Sequence, residues 1–411
     1  MNFEHDAETQ ALTGKVRAFF DTRILPRNRE WQEWSASNDT DPDWMAGLRE
    51  EAQSEGLWNM ALSKLPEGHE GQPLSNVAFA PLAEIMGRLN WSAMVFNCHA
   101  PDVPNMITLI DAANPDQQAR YLAPLLDGRV RSGFAMTEPD TASSDARNIA
   151  MRVDRTDKGY VLNGRKWFAS GAAHPNCDFL IVIGALADSP ARGGHTAFIV
   201  PMDTPGVKLV GRLSYLGWDE PAAPIGELIF DNVELPAEAL LGAEGQGFAV
   251  AQTRLGPARV HHCMRAIGLA ETVLELMIMR AAERRTFNRN LNEYDTVQGW
   301  IAHSRIEIEQ ARLMVLKCAW LLDQHGHKGA WREVSIAKVV VPKMLNAVVD
   351  RALQLFGAMG GTTFTPLPAA LAWARAFRIV DGPDEVHLRQ IYRQENPASS
   401  TLAESHYILR S

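Results

Sequence analysis

Two short stretches hold most of the residues able to do chemistry. Arg259-Val260-His261-His262-Cys263 sets a guanidinium and two imidazoles in a run of helical spacing, and Asp381-Gly382-Pro383-Asp384-Glu385-Val386-His387 sets three carboxylates and an imidazole beside a glycine and a proline. Arg259 and His262 are three apart and share a helix face, whereas His261 points elsewhere. With Arg254 they could offer positive charge to a phosphate; the plainer reading of the two histidines is helix packing. The second stretch is built from residues that turns prefer. Asp384, Glu385 and His387 are of metal-ligand type but read as exposed carboxylates at a helix start, so no metal is expected.

Elements of three textures must position these groups. From 1 to about 130 apolar residues recur at helical spacing, as in Ala11, Val16, Phe19 and Phe20 and in Phe79, Leu82, Ile85 and Met86. Asn114-Pro115 has the form of a short-helix start. Between 131 and 245 short β-rich runs alternate with turn residues, the pattern of an antiparallel β-domain, and Asn163-Gly164 predicts a hairpin between Tyr160–Leu162 and Lys166–Phe168. From 246 to 411 helical spacing returns, with one long helix expected over 258–285, Pro257 in its first turn, in a side-by-side bundle.

Composition narrows the function classes. The 411 residues allow two or three domains, and 40 Lys and Arg against 49 Asp and Glu, with no basic block, argue against nucleic acid as a partner. Cys98, Cys177, Cys263 and Cys318 form no Cys-x-x-Cys pair and read as reduced, buried thiols. The acidic start lacks the charge of a signal peptide, and no apolar run of membrane-spanning length follows, so a cytoplasmic location without integral membrane association is expected.

Phe134-Ala135-Met136-Thr137-Glu138-Pro139, then Ser143-Ser144-Asp145, then Lys166-Trp167-Phe168-Ala169-Ser170-Gly171 resembles the flavin-binding middle domain of the acyl-CoA dehydrogenases. Arg284-Arg285-Thr286-Phe287 resembles that family's Arg-x-x-Phe element, and Gln354 to Gly360 its Gln-x-x-Gly-Gly-x-Gly element. Asn97 to Asp102, Leu255 to Cys263 and Asp381 to His387 are similar to the branch that in animals is fused to an aminoglycoside-phosphotransferase-like kinase domain; the dehydrogenase is expected to use the whole of this chain. The resemblance implies an N-terminal α-helical domain, a middle antiparallel β-barrel-like domain and a C-terminal four-helix-bundle domain. It also implies FAD, an acyl-CoA substrate, electron-transfer flavoprotein as acceptor, and a homodimer or homotetramer.

Residue roles follow from the same resemblance. The family's base is most often Glu in Tyr-Glu-Gly-Thr, and the matching interval from Gly360 lands on Asp381, whose carboxylate sits about 1.5 Å further back for want of a methylene. Gly382 leaves room for a thioester, and Glu385 is a secondary candidate base. Met136, Thr137, Trp167 and Ser170 correspond to positions along the flavin, with Ala169 standing where many relatives have Thr. Arg284 and Phe287 match positions at the FAD diphosphate and adenine, and Gln354, Gly357 and Gly360 a segment reaching FAD from a neighbouring subunit. Ser143, Ser144 and Arg259 correspond to substrate positions. The implied reaction is α,β-dehydrogenation of an acyl-CoA, including 4-hydroxy- or 4-phospho-acyl-CoA. The alternatives are a flavin oxidase of the nitroalkane-oxidase type, which also uses an Asp base, and a non-catalytic scaffold.

Overall fold

The computed structural model describes residues 4–188 and 194–395, with the side chains of 253–255 left out. Arg254, one candidate cation, therefore lies outside the described side chains.

The first segment is helical. Asp6 and Ser75 accept the amide hydrogens of Thr9 and Ala78, capping the helices Ala7–Phe19 and Asn76–Gly87. Asn114 and Gln117 form the reciprocal capping box that starts the helix Pro115–Gln117, where the Asn-Pro pair predicted one.

Among the described residues the middle segment is an eight-stranded sheet: β1 (Arg131–Ala135), β2 (Arg152–Thr156), β3 (Gly159–Ala169), β4 (Cys177–Leu186), β5 (His195–Pro201), β6 (Val207–Arg212), β7 (Gly226–Pro236) and β8 (Leu240–Leu241). Its main path runs β6-β7-β3-β2-β4-β5-β8, with β1 beside β4. Two features differ from expectation. β1 and β2 both pair with β4 in parallel, so the sheet is mixed rather than wholly antiparallel. Asn163-Gly164 is not a hairpin turn: β3 runs straight through it, and the register against β7 shifts there. Gly164 has φ 155, and a Cβ on it would lie 3.0 Å from Met151 Cγ, while Asn163 Oδ1 accepts the Asn232 amide across the bulge. The two-residue turn is instead Asp157-Lys158, between Thr156 and its partner Gly159.

The last segment is a helical bundle. Its first helix is Gly247–Glu283, starting eleven residues earlier than the sequence predicts, with Pro257 inside it. A proline removes one ladder bond, but Ala251 and Ala258 on either side are buried, and packing outweighs the loss. Helical residues 295–356 are divided at Gly326 (φ 64, ψ −173) and followed by Leu367–Phe377 and Asp384–Gln394.

The β4 side chains show how the segments share a core. Phe179, Ile181 and Ile183 face a hydrophobic cluster continuous with both helical segments, whereas Leu180 and Val182 face a second cluster within the sheet. The helices Asn76–Gly87 and Gly247–Glu283 cross where each has a glycine: a Cβ on Gly87 would lie 2.0 Å from Arg265 O, and one on Gly268 1.8 Å from Glu84 O. Asp323 adds a tie by accepting the Asn76 and Val77 amides at 2.8 and 2.9 Å. No described helix is long and apolar enough to cross a membrane. All four cysteines are buried and free of disulfides.

Candidate active site

Asp381 lies in the link between Leu367–Phe377 and Asp384–Gln394, at φ 57, followed by Gly382 at φ 104. Two left-handed residues in succession are costly unless the surroundings hold them. Several side chains do so. Arg259 Nε donates to Asp381 O at 2.9 Å, and Lys338 Nζ donates to the carbonyl oxygens of Phe377 and Val380 at 2.8 and 3.0 Å. Arg378 grips Asp384 Oδ2 through Nε and Nη2 at 2.9 and 2.7 Å. A Cβ on Gly382 would sit 3.0 Å from His387 Nε2, so this glycine makes room for the buried imidazole. Asp384, expected on the surface, is 4% exposed because Arg378 neutralises it, while Glu385 is exposed. That exposure removes Glu385 from the enclosed site.

The Asp381 carboxylate faces the first stretch. Its Oδ2 is 3.5 Å from His262 Nδ1, with both side chains mostly enclosed. The rings of Trp373 and Phe377 stand 6.2 and 5.9 Å from the His262 ring. Arg259 and His262 thus meet one loop from one helix face, as their spacing predicts. His261 turns away to pack edge-on against Phe79 at 4.9 Å, beside a small cavity lined also by Asn76, Ile107 and Pro257. Burial pulls the Arg259 guanidinium below its usual value, with the Asp381 carboxylate opposing the shift. Burial likewise brings Lys338 to about 8 and His387 to about 4.

The 97–102 segment carries the site toward the sheet. Burial holds His99 neutral, helped by the charges of Arg265, Arg131 and His262. Pro101 packs where a Cβ on Gly171 would come within 2.7 Å, and the Asp102 carboxylate accepts from Ser132 N and from Arg131 Nη1. Burial lowers Arg265 to about 10 and raises Glu220 to about 7.

At this edge of the sheet the predicted flavin-contacting residues come together. Thr137 O accepts from Trp167 N at 3.0 Å, and Phe134 N donates to Ser170 O at 3.2 Å. Trp167 is partly exposed and stacks edge-on with Phe168, which is held at φ 47. Beneath them Lys166 is fully buried, with Nζ 2.9 Å from Met136 O and 2.8 Å from Glu138 Oε1. Glu138 also accepts the Ala150 and Met151 amides. Ser143 Oγ accepts the Glu138 amide and so braces this loop, whereas Ser144 is exposed.

A third group lies elsewhere. Arg284, Phe287, Gln354 and Gly357 are exposed at one end of the bundle, where Arg280 stands over the Phe356 ring at 5.4 Å; Gly360 is buried there. Phe287 is 90% exposed. Among the described residues no hydrogen bond or ring contact joins this group to the Met136–Trp167 edge, and no cluster of metal-ligating side chains occurs.

Sequence reasoning missed the cations that hold both loops in place. Lys338 stands alone in the apolar run Ala337-Lys338-Val339-Val340-Val341, and a charge in such a run is itself a signal. Lys166 was legible only as a neighbour of Trp167.

Three family models cover almost all of the chain. These are the N-terminal, middle and C-terminal domains of acyl-CoA dehydrogenases, matching residues 6–129, 133–233 and 245–395. Probable acyl-CoA dehydrogenase FadE2 of Mycobacterium tuberculosis is 48% identical over 96% of this chain and 97% of its own length. Acyl-CoA dehydrogenase family member 10 of Mus musculus is 43% identical over 94% of this chain, which spans only 37% of that relative. The solved structure of a putative acyl-CoA dehydrogenase from Mycobacterium abscessus superposes with a TM-score of 0.93 at 41% identity, covering 97% of this chain and 100% of the other. With helical, sheet and helical segments in this order and a carboxylate in the link before the last helix, the chain belongs to the acyl-CoA dehydrogenase family.

Proposed function

We propose that this protein is an FAD-dependent dehydrogenase that oxidises the α,β bond of an acyl-CoA thioester, with Asp381 as the base. The observation that carries the reading is the Asp381 carboxylate, enclosed between His262 and the Arg259- and Lys338-bound loop. A mostly enclosed carboxylate is suited to taking a proton from carbon, because the weakly acidic C–H then competes with less water.

The residues present fit FAD. The carbonyl oxygens of Met136 and Thr137 accept from Lys166 Nζ and Trp167 N, which fixes this stretch of backbone at the edge where a flavin ring would lie. The partly exposed Trp167 offers a flat wall beside them. Arg284 supplies a fork for a diphosphate, and the exposed Phe287 ring a surface for adenine. Bound FAD would supply the acceptor for the β-hydrogen as hydride, while the protein orients the substrate and takes the α-proton on an Asp381 carboxylate oxygen. The separation of Arg284 and Gln354 from the Met136–Trp167 edge supports sharing of FAD between subunits of a homodimer or homotetramer.

The finer substrate reading is a 4-hydroxy- or 4-phospho-acyl-CoA, supported by His262, which contacts the Asp381 carboxylate, and by Arg265, whose charge acts on it. Electron-transfer flavoprotein is the proposed acceptor. Anaerobic titration of the flavin absorbance with plain, 4-hydroxy- and 4-phospho-acyl-CoAs tests both levels. Bleaching is expected, and fastest with a 4-substituted thioester. Absence of bleaching with every thioester overturns the dehydrogenase reading; equal bleaching by plain thioesters overturns only the finer one.

A further inference from the structure

Lys338 is a buried charge that the reaction does not use directly. Lys338 is 1% exposed, and its ammonium lies 4.1 Å from the centre of the Phe377 ring. Its hydrogen bonds go to two main-chain oxygens, of Phe377 at the end of one helix and of Val380 next to Asp381. An ammonium at a helix C-terminus complements the end of the helix dipole. Burying it without a bonded carboxylate is nonetheless expensive, and an apolar side chain would complete the surrounding valine run at no such cost.

We propose that Lys338 is a positioning residue for proton abstraction: its ammonium pins the carbonyls on the N-terminal side of Asp381, and its charge keeps the nearby carboxylate ionised until substrate arrives. Arg259 pins the Asp381 carbonyl from the opposite helix, so the carboxylate is held from two sides of a strained link. The proposal rests on the assignment of Asp381 as base. Burial lowers Lys338 and the Asp381 charge raises it again, the reciprocal of the stabilisation the carboxylate receives. Among the described residues, the other titratable and charged groups acting on this pair are Arg259, His262, Cys263 and Arg265 on the long helix and Asp384 and His387 on the last helix, with His99 acting on His262. Leu367–Phe377 contributes aromatic rings on this side.

The test uses the FAD-loaded protein with K338M and D381N in parallel. K338M is expected to retain FAD and to hold KM within about twofold, while single-turnover flavin bleaching slows about 100-fold through misplacement of the base. The acid limb of the bleaching rate should move to higher pH, since the carboxylate loses a buried cation that acts on it. Hydrogen exchange of the 378–387 peptide, measured with and without FAD, should accelerate while thermal stability stays near wild type. Wild-type bleaching with an unmoved acid limb overturns the proposal, as does a loss confined to KM. If D381N keeps full activity, the base assignment fails instead, and exchange in K338M still judges whether the loop is pinned. Should K338M not fold, wild-type protein taken through pH 8 supplies the decision. Exchange of 378–387, corrected for its intrinsic rate, must rise as the ammonium is lost, and an unchanged corrected rate overturns the proposal.

Discussion

At the residue scale, Asp381 and Gly382 are coupled through their backbones as well as their chemistry. D381N preserves size and left-handed tolerance while removing the proton acceptor, so FAD content should remain and bleaching by acyl-CoA should fall by at least about 100-fold. Retained bleaching would move the base elsewhere. G382A tests the backbone alone. An alanine at φ 104 whose methyl lies 3.0 Å from His387 Nε2 is strained, and thermal unfolding should show a loss of about 1–3 kcal/mol. A thermally neutral G382A would mean that the link relaxes freely. The interval from Gly360 made Asp381 legible in the sequence, but not its burial beside His262. Burial at the meeting of two helices depends on tertiary packing, which leaves no mark in local spacing.

At the element scale, the sequence was most legible where periodicity and packing agree. Of the β-runs read from residue types, Phe179–Ile183, Thr196–Pro201 and Gly226–Phe230 fall inside β4, β5 and β7, Val207–Leu213 overruns β6 by one residue, and a short helix starts where Asn114-Pro115 predicts it. Asn163-Gly164 misled because the same φ-permissive pair serves a bulge as well as a turn, and only the neighbouring strand decides which. Pro257 misled because a local breaker lost to burial on both sides. The Gly87/Gly268 crossing makes this dependence testable. A methyl at Gly268 would meet Glu84 O at 1.8 Å, so G268A should force the first and last segments apart and cost about 1–3 kcal/mol or more in chemical unfolding. A G268A protein as stable as wild type would show that the helices slide past one another without cost.

At the scale of the whole molecule, the net charge of −9 conceals a set of cations and imidazoles taken out of water at the segment junctions. The histidines among them give stability a pH dependence of definite sign. Burial lowers His261 to about 3 and His387 to about 4, and His99 moves in the same direction. The unfolded chain therefore binds protons at these sites below about pH 6.5 while the folded chain does not, and stability falls as pH drops through that window. Glu220, raised by burial to about 7, works the other way, because the folded form protonates first as pH falls from 7 toward its ordinary carboxylate value. Near pH 5 His261 and His387 each contribute a loss on the order of 2 kcal/mol, against a gain of similar size from Glu220 alone. The balance is a net loss on acidification. His261 is the cleanest member to remove, since its ring packs on Phe79 and faces away from Asp381. H261L should lose about 2 kcal/mol less than wild type between neutral pH and about pH 5, measured by denaturant unfolding at both. An identical drop in H261L and wild type would show that His261 takes up its proton in the folded state and that the acid sensitivity arises elsewhere.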